Sequence, residues 1–437
     1  MKTYSFRFID LFCGIGGFHQ AMTPLGGRCV FASDINKHCR EVYKNNFAPN
    51  DEFVVYGDIN KAIKEKAIPE FEVLCGGFPC QTFSKAGNQN GFTVVEKENG
   101  EKDERGQLFY RIIDILKEHP ECKYVVLENV RNLADKKENW EIICNELKEQ
   151  DFIITEEPII ESPHNFGVPQ VRERVFILGI RKNAFDRRRV LPEGYLTREI
   201  LGIDEEINKC PEKGNCLSGI VDNDVDQKYY VTEEVEKLMD AWEEFRANVK
   251  GLCSPFWLHK AGVGIYDREL YYRDEDIGYQ EMPDWKKALV MRSRVMYENN
   301  YKFIDAWIKK HKMQDKILIQ QKFEWNCGTD CKSLKEGIIQ IRQSGVRVKR
   351  PNYFPSLVAM NNTPIIWDKK AQKYRYFTPK ESAKLQSFND DYKFSDSDDI
   401  TYRQLGNSVN VKLVKIFASG LFKLGKKSTL IGGKQDG

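Results

Sequence analysis

Residues 6–18 read FRFIDLFCGIGGF, and this stretch predicts a strand, a glycine-rich turn and the start of a helix. The apolar residues before Cys13 are typical of a buried strand, whereas FHQAM, which follows Gly17, begins like a helix. Glycines in such a turn let the backbone approach a ligand closely, and the helix N-terminus offers free N–H groups. The stretch therefore predicts a ligand-binding turn at the edge of a parallel sheet, although similar turns also serve only packing.

The alternation of strand and helix continues to about residue 181. Runs such as YVVLE (124–128), up to its final glutamate, and VFILGI (175–180) are continuously apolar, as strands buried on both faces of a parallel sheet are. Amphipathic segments such as LFYRIIDILKEH (108–119) separate these runs. The repetition predicts an α/β fold, with a doubly wound, mostly parallel sheet that carries helices on both faces.

Length and composition are those of an ordinary globular protein. The chain has 437 residues, of which 41% are hydrophobic and 30% charged, and this length allows two or three domains. The first ten residues lack the apolar core of a signal peptide, and no run approaches the roughly 18 apolar residues of a membrane span. We therefore expect a cytosolic protein with no membrane segment, whose 12 cysteines are reduced thiols.

Two cysteine spacings bear on a metal site, Cys210 with Cys216 and Cys327 with Cys331. Neither is the C-x-x-C pair of strong zinc signatures, and no paired histidines accompany them. We expect free thiols and no metal.

Acidic residues follow the next two strands of the pattern. Asp34 comes directly after CVFAS (29–33), and Asp58 follows FVVY (53–56). Each aspartate alone could simply cap the next helix. Glycine and aspartates at three successive strand ends favour a nucleoside-containing cofactor, because the carboxyl ends of parallel strands share the ligand-binding edge. The turn lacks the third glycine of the dinucleotide fingerprint, which leaves room for a nucleoside without phosphates.

Reactive side chains follow the remaining strands. Cys80 lies in the middle of GGFPCQTFS (76–84), Glu128 lies near the end of YVVLENV (124–130), and Arg172 and Arg174 lie just before the strand VFILGI. A thiolate is a strong nucleophile, and a buried glutamate with a raised pKa is a proton donor. Arg174 would hold a substrate carbonyl, and Arg172 would pair with Glu128 or the loop. Taken singly these residues read as a buried thiol, a capping acid and surface arginines, but together they predict a catalytic rim.

Seven motifs in this order resemble those of the cytosine carbon-5 DNA methyltransferases, in the form found in bacterial restriction–modification systems. They are DLFCGIGGF, SDIN, GDI, GGFPCQTFS, ENV, QVRER and QLGNSV. The resemblance covers residues 8–180 and about 376–420. It implies a Rossmann-like catalytic domain that uses S-adenosylmethionine, and a smaller mixed α/β domain for target recognition.

The resemblance also implies roles for the catalytic residues. Cys80 matches the nucleophile that attacks carbon 6 of the target cytosine, which turns carbon 5 into an enamine-like carbon. Glu128 matches the acid that holds the ring nitrogen and amino group, Arg174 would hold the base carbonyl, and the base that removes the carbon-5 proton is not identified. The full catalytic set is Cys80, Glu128, Arg174, Asn129, Pro79 and Gln81.

A second set of residues matches the adenosylmethionine pocket. Asp34 would bind the ribose hydroxyls, although some members carry the longer glutamate there; Asp58 would bind the adenine amino group, and Phe12 the ring face. The full set is Phe12, Gly14, Ile15, Gly16, Gly17, Asp34, Ile35, Asp58, Ile59, Pro79, Asn407 and Ser408.

Double-stranded DNA is the implied substrate, although the net charge of only +2 does not by itself announce a nucleic-acid binder. Phosphate contacts need only one basic face, and residues 341–357 supply a local cluster of arginine and lysine. The target base must leave the duplex to be reached, and the polar segment 84–107 is the expected lid. The residues expected to contact DNA are Ser84, Lys85, Arg172, Arg342, Arg347, Lys349 and Arg350.

The expected domain order is catalytic (1–190), target-recognition (191–375), hinge (376–404) and a returning C-terminal segment (405–437). We expect a monomer in the bacterial cytoplasm, with a cognate restriction endonuclease as functional partner. Three alternatives remain at this point: an RNA cytosine methyltransferase on the same scaffold, a nicotinamide-dependent oxidoreductase, and a non-catalytic DNA-binding protein. The nicotinamide alternative leaves Cys80, Glu128 and Arg174 without a joint task.

Overall fold

The computed structural model describes most of the chain, in two compact units. The described residues are 4–50, 53–79, 92, 95–96, 102–103, 105–191, 194–210, 217–258, 280–357 and 363–426. The first unit comprises Met1–Gly214, Pro355–Met360 and Ser382–Gly437, and the second comprises Asn215–Phe354 and Asn361–Glu381.

The N-terminal part of the first unit alternates strands and helices. Its strands are β1 (Phe6–Leu11), β2 (Gly27–Ser33), β3 (Val54–Tyr56), β4 (Val73–Gly76), β5 (Val95–Glu96), β6 (Lys102–Asp103), β7 (Tyr124–Val130), β8 (Phe152–Ile154), β9 (Ile159–Glu161) and β10 (Arg174–Arg181). Its helices are α1 (Gly17–Met22), α2 (Lys37–Phe47), α3 (Ile59–Lys64), α4 (Leu108–Glu118), α5 (Lys137–Glu149) and α6 (Ile203–Asn208).

The main sheet has the order β3-β2-β1-β4-β7-β10-β8, and β9 also pairs with β10. The first five strands are parallel, which confirms the predicted α/β class. Strand β10 runs antiparallel to β7, β8 and β9. No crossover helix separates β9 from β10, and a parallel pairing of consecutive strands requires such a crossover. Within the segment predicted to be a lid, β5 and β6 pair in antiparallel fashion.

The sheet is buried on both faces. Side chains alternate along a strand, so Val126 of β7 lies in one hydrophobic cluster and its neighbour Val125 in the other. Helix α4 contributes Phe109 to the second cluster. The first cluster is covered by residues near the C-terminus, including Phe417. Helices therefore pack on both faces, as predicted.

The first unit extends further along the chain than the predicted boundary at 190. Leu196, Leu201 and Ile203 are buried in the first hydrophobic cluster, so the described residues 194–210 pack with the sheet. The sequence shows no steady period there, because these apolar residues lie in turns and in the short helix α6 and not in a long element.

The second unit contains a six-stranded mixed sheet of order β11-β12-β14-β13-β15-β16. Its elements are α7 (Glu233–Asn248), β11 (Phe256–Trp257), α8 (Asp284–His311), β12 (Lys322–Asn326), β13 (Ile338–Arg342), β14 (Gly345–Lys349), β15 (Ile365–Asp368) and β16 (Lys373–Tyr376). Trp242 and Phe245 of α7 pack with Trp307 of α8 to form its core.

The chain then returns to the first unit. The last helices are α9 (Pro379–Leu385), α10 (Asp398–Asn407) and α11 (Val411–Phe422). Among the helices that the structure describes, not one combines the length and apolar character needed to cross a membrane.

Candidate functional site

The turn between β1 and α1 contains three residues with positive φ angles, a conformation that favours glycine. Gly14 and Gly16 have φ angles of 52° and 81°, and Phe12 has a φ of 55°, which is unusual for a bulky residue and costs free energy. A Cβ atom built at Gly14 would have no heavy atom within 4 Å. The loop therefore borders open space that a ligand can enter.

Asp34, directly after β2, holds this turn in place. Its Oδ2 accepts a hydrogen bond from the Gly14 amide, and its Oδ1 accepts one from the Asn36 amide, both at 2.8 Å. Burial raises the pKa of the carboxyl, against the hydrogen bonds and Arg40, which lower it. The side chain of the next residue, Ile35, is 79% exposed, so an apolar surface lies open beside the acid.

Asp58, directly after β3, caps α3. Its Oδ1 accepts a hydrogen bond from the Asn60 amide at 2.9 Å, which is the helix-capping role considered for this aspartate in the sequence. Its neighbour Ile59 is buried. Asp58 itself is exposed. The capping bond engages one carboxylate oxygen and leaves the residue accessible from solvent.

The C-terminal segment reaches the glycine turn. A Cβ atom built at Gly17 would lie 2.7 Å from Val409 Cγ2 and 3.0 Å from Ser408 Oγ, so only glycine fits between these residues. Asn407, the last residue of α10, is exposed. The structure thus brings the predicted pocket residues at the two ends of the chain together.

The residues predicted to form a catalytic rim follow the ends of β4 and β7, which are parallel neighbours. Glu128 is 8% exposed, and its Oε1 lies 2.9 Å from Arg174 Nε on the adjacent strand β10. Burial raises the pKa of Glu128, although Arg174 and Arg172 act in the opposite direction. A Cβ atom at Gly77 would lie 3.6 Å from Glu128 Oε2, so the backbone after β4 passes beside the acid.

Asn129 connects this acid to the segment that leads to the predicted nucleophile. Its Nδ2 donates to the Phe78 carbonyl oxygen at 3.0 Å, and its Oδ1 accepts from the Val130 amide at 2.8 Å. Pro79 follows at the edge of the sheet, and four predicted site residues near it lie outside the described residues. These four are Cys80, Gln81, Ser84 and Lys85.

Arg172 lies in the interior, whereas the suggested DNA contact needs an accessible side chain. Its charge acts to lower the pKa of Glu128, the residue with which the sequence also suggested a pairing. The side chain of Arg172 is buried, and the residue is 3% exposed. Its guanidinium donates to carbonyl oxygens of Leu357, Gly406 and Ser408 at 2.7–2.9 Å. The position of a residue before a strand does not reveal the direction of its side chain. Here the guanidinium points into the protein, where backbone carbonyls accept its hydrogen bonds.

The predicted basic cluster lies on one face of the second unit's sheet. Arg347 and Lys349 of β14 alternate with Val346 and Val348, which are fully buried in the core. Polar partners surround the arginines: Arg347 donates to Gln340 at 2.6 Å and Arg342 to Glu324 at 2.8 Å. Burial, followed by the charge of Arg342, lowers the pKa of Arg347. Beyond the strand, Arg350 Nε lies 2.9 Å from Asp330 Oδ2.

Sequence reasoning overlooked a buried carboxyl beneath the glycine turn. Asp10 in β1 is fully buried, and its Oδ2 accepts a hydrogen bond from Tyr43 at 3.4 Å. Tyr43 in turn lies 2.8 Å from His19 Nδ1 in α1. Burial raises the pKa of Asp10 well above its usual range. The signal was an aspartate inside the apolar run FRFIDL.

This carboxyl makes stability depend on pH. Because its folded-state pKa is raised, the folded protein keeps a proton that the unfolded chain has lost, so stability falls as pH rises above about 4, by at most about 1.4 kcal/mol per pH unit. Asn cannot lose a proton, so Asp10→Asn should become more stable relative to the native protein between pH 5 and pH 8. Urea unfolding at both pH values measures the difference, and parallel pH dependence of the two proteins would contradict the assignment.

Metal-ligand groups are not found in the described part of the chain. No three or more His, Cys, Asp or Glu side chains there are grouped to hold a metal ion. Cys327 and Cys331 are buried free thiols. Cys216, the partner of Cys210 in the other spacing, lies outside the described residues.

Known proteins share both the sequence pattern and the fold. The family model described as C-5 cytosine-specific DNA methylase matches residues 6–423. Type II methyltransferase M.AluI from Cellulosimicrobium cellulans is 28% identical, over 94% of this chain and 90% of its own. Type II methyltransferase M.HpaII from Haemophilus parainfluenzae is 42% identical, over 41% of this chain and 47% of its own. The crystal structure of S. pombe Dnmt2 methyltransferase covers 96% of this chain and 98% of that one, with a TM-score of 0.51 and 18% identity, and so shares the fold.

Proposed function

This chain belongs to the family of C-5 cytosine-specific DNA methylases and is a DNA cytosine methyltransferase, and on that premise we propose its cofactor, site and target. The methyl group comes from S-adenosylmethionine and goes to carbon 5 of one specific cytosine in double-stranded DNA. One observation carries the site assignment. Buried Glu128, whose pKa is raised, is paired with Arg174 beside the strand end that leads to Cys80.

The residues around the glycine turn fit S-adenosylmethionine, which supplies an electrophilic methyl group when it is bound. The space beside Gly14 admits a ligand, and the exposed Ile35 offers an apolar surface to the adenine. Asp34 accepts one amide at each oxygen, and a carboxylate oxygen has a second lone pair for a ribose hydroxyl. Asp58 would accept from the adenine amino group, and Ser408 lies against the turn. The other proposed cofactor contacts are Phe12, Ile15, Gly16, Gly17, Ile59, Pro79 and Asn407.

Catalysis begins with a nucleophile that attacks carbon 6 of the cytosine and an acid that binds its ring nitrogen. The Cys80 thiolate adds to carbon 6 of the cytosine, and the displaced ring electrons make carbon 5 nucleophilic. Glu128 donates a hydrogen bond to the ring nitrogen that gains electron density. Arg174 Nε faces Glu128, and its Nη1 donates to the Glu173 carbonyl. We assign the base carbonyl to Nη2, which has no partner among the described residues.

The covalent bond to Cys80 is then broken by elimination. Once carbon 5 carries the methyl group, a base removes its proton, and the electrons of that C–H bond restore the ring double bond. The Cys80–carbon 6 bond breaks and the thiolate leaves, so the enzyme returns to its starting state. Asn129 supports this sequence by holding the Phe78 carbonyl, and Pro79 and Gln81 flank the nucleophile.

The target cytosine must leave the helix before this chemistry, at a cost of a few kcal/mol. We assign sequence recognition to the part of residues 191–375 that lies in the second unit, since residues 194–210 pack with the sheet of the first. Residues 376–404 are the proposed hinge, and 405–437 the segment that completes the catalytic domain 1–190. The polar sheet face that carries Arg342, Arg347 and Lys349, with Arg350 nearby, is the proposed DNA-contacting surface. Ser84 and Lys85 would contact the phosphate backbone.

The enzyme acts as a monomer in the bacterial cytoplasm, paired functionally with a restriction endonuclease.

Removing one phosphate contact should lower DNA affinity and its dependence on salt. Lys349→Ala should reduce the slope of log K against log salt concentration by about one, measured by fluorescence anisotropy on duplex DNA. Lys369, an exposed lysine in the turn between β15 and β16, provides the control. A Lys349→Ala slope equal to that of the native protein, or an equal loss in Lys369→Ala, would contradict the assignment.

Substrate and position can be tested together. Purified protein with isotopically labelled S-adenosylmethionine should label duplex DNA and not tRNA, and bisulfite sequencing of DNA from expressing cells should show protected cytosines in one sequence context. Label in tRNA alone would support the RNA alternative. No specific observation favours the nicotinamide or non-catalytic alternatives, since the chain belongs to a methylase family.

A further inference from the structure

Arg172 is a buried arginine whose guanidinium donates hydrogen bonds to several backbone carbonyls. Nη1 donates to the Leu357 carbonyl at 2.7 Å and to Ser356 Oγ at 3.2 Å. Nη2 donates to the carbonyls of Gly406 and Ser408 at 2.8 and 2.9 Å. The residue is 3% exposed, so these acceptors replace the water that a guanidinium would otherwise hold.

The acceptors belong to two segments that are far apart in sequence. Residues 355–360 are the short piece of the first unit that lies between two stretches of the second, and 406–408 end α10. A guanidinium presents five donors in a rigid fork, so one side chain can fix several carbonyls at once. Lysine has the same charge but cannot reproduce that geometry.

One of these segments forms part of the proposed cofactor pocket. The Ser408 carbonyl is bound by Arg172, while Ser408 Oγ and Val409 lie against Gly17, where no Cβ would fit. A backbone shift of well under 1 Å at Ser408 would therefore either open this contact or push into the turn. Interiors packed this closely transmit such displacements directly.

We propose that Arg172 is a positioning residue for the cofactor pocket. It fixes the backbone of residues 406–408 against the glycine turn and ties them to residues 356–357, without itself touching the base or the cofactor. This inference rests on the proposed binding of S-adenosylmethionine at the turn. It replaces the DNA contact suggested by the sequence, because the guanidinium is enclosed by its own chain.

Arg181 offers a matched control at the other end of β10. It is also buried, and its Nε and Nη1 donate to the carbonyls of Cys122 and Gln150 at 2.7 and 2.9 Å. Neither of these acceptors belongs to residues 406–409. Loss of either guanidinium leaves buried carbonyls unpaired, so substitution of Arg172 or of Arg181 should lower the melting temperature. Only the substitution of Arg172 should change the proposed cofactor pocket.

The test compares Arg172→Gln, Arg172→Lys and Arg181→Gln. Calorimetry on the full chain should show S-adenosylmethionine affinity reduced by roughly tenfold or more in Arg172→Gln, partly restored in Arg172→Lys, and unchanged in Arg181→Gln, since hydrogen bonds from a charged donor are worth about one order of magnitude in affinity or more. The KM for the cofactor should rise more than kcat at saturating cofactor falls. Amide exchange at 409–411 should speed up in the Arg172 variants alone.

Three results would overturn the inference. Unchanged cofactor affinity and unchanged amide exchange in Arg172→Lys and Arg172→Gln would remove the positioning role while leaving the proposed function intact. An equal loss of affinity in Arg181→Gln would reduce the effect to general destabilisation. If the native protein does not bind S-adenosylmethionine, the proposed function fails and the inference fails with it. Should Arg172→Gln not fold, Arg172→Lys decides by the same two measurements.

Discussion

Replacing Cys80 by alanine should abolish methyl transfer while leaving S-adenosylmethionine affinity nearly unchanged. Without the thiolate nothing adds to carbon 6, so carbon 5 never becomes nucleophilic, and removal of an essential nucleophile costs a factor of at least about 10⁴. The cofactor contacts proposed at the glycine turn do not involve this thiol. Transfer of labelled methyl groups to duplex DNA measures the first effect, and calorimetry the second.

A covalent complex provides an independent readout of the same residue. DNA in which the target cytosine carries fluorine at carbon 5 has no proton there to remove, so elimination stalls and the Cys80 adduct should survive denaturing electrophoresis. Cys75→Ala is the matched control, since Cys75 is a fully buried thiol at the end of β4 and should still form the complex. Methylation or trapping by Cys80→Ala would overturn the assignment of the nucleophile.

Glu128→Gln should lower kcat by about 10²–10⁴-fold, the usual range for removal of a general acid. Glutamine keeps the size of the side chain but has no carboxyl proton to share with the ring nitrogen. Burial raises the pKa of Glu128, so the protonated form persists to higher pH than for an exposed glutamate. The contribution of this proton to the single-turnover rate should therefore decrease as pH rises through the raised pKa of Glu128. This decrease should be missing in Glu128→Gln. Single-turnover rates from pH 5 to 9 measure both effects.

A second buried glutamate separates chemistry from packing. Glu161 of β9 is also buried and lies 2.5 Å from Arg198 Nη1. It stands opposite Arg174 in the pairing of β9 with β10, so it tests packing beside the site without a proposed role in the chemistry. Glu161→Gln should lower the free energy of unfolding and leave the single-turnover rate close to that of the native protein. Equal kinetic losses in the two variants would mean that Glu128 acts only through the packing of the sheet.

The features that could be predicted from the sequence are those that short sequence patterns indicate. Apolar runs at YVVLE and VFILGI indicate strands buried on both faces, and the strands β7 and β10 lie where they were expected. Strand ends share one edge in a parallel sheet, so Cys80 and Glu128 were expected at one edge. Arg174 is the first residue of β10, and it lies beside Glu128 because β10 runs antiparallel to β7. The resemblance of ordered motifs supplied the chemistry of these residues.

Other features needed the tertiary structure. The direction of β10 depends on the connection before it, and the burial of Leu196 and Leu201 depends on contacts with residues far along the chain. The same holds for Arg172, whose sequence neighbours suit a surface arginine but whose acceptors come from residues 356–357 and 406–408.

The sequence by itself therefore determined the class of fold and the order of its motifs, and the resemblance of those motifs to a known family supplied the expected reacting groups. The class of fold follows from periodicity and residue type, which act over a few residues. Only the tertiary structure decided that Asp10 is buried beneath the turn, that Gly17 is pressed by Val409, and that Arg172 faces inward. Burial and long-range hydrogen bonds depend on which distant segments meet, and no local pattern specifies that meeting.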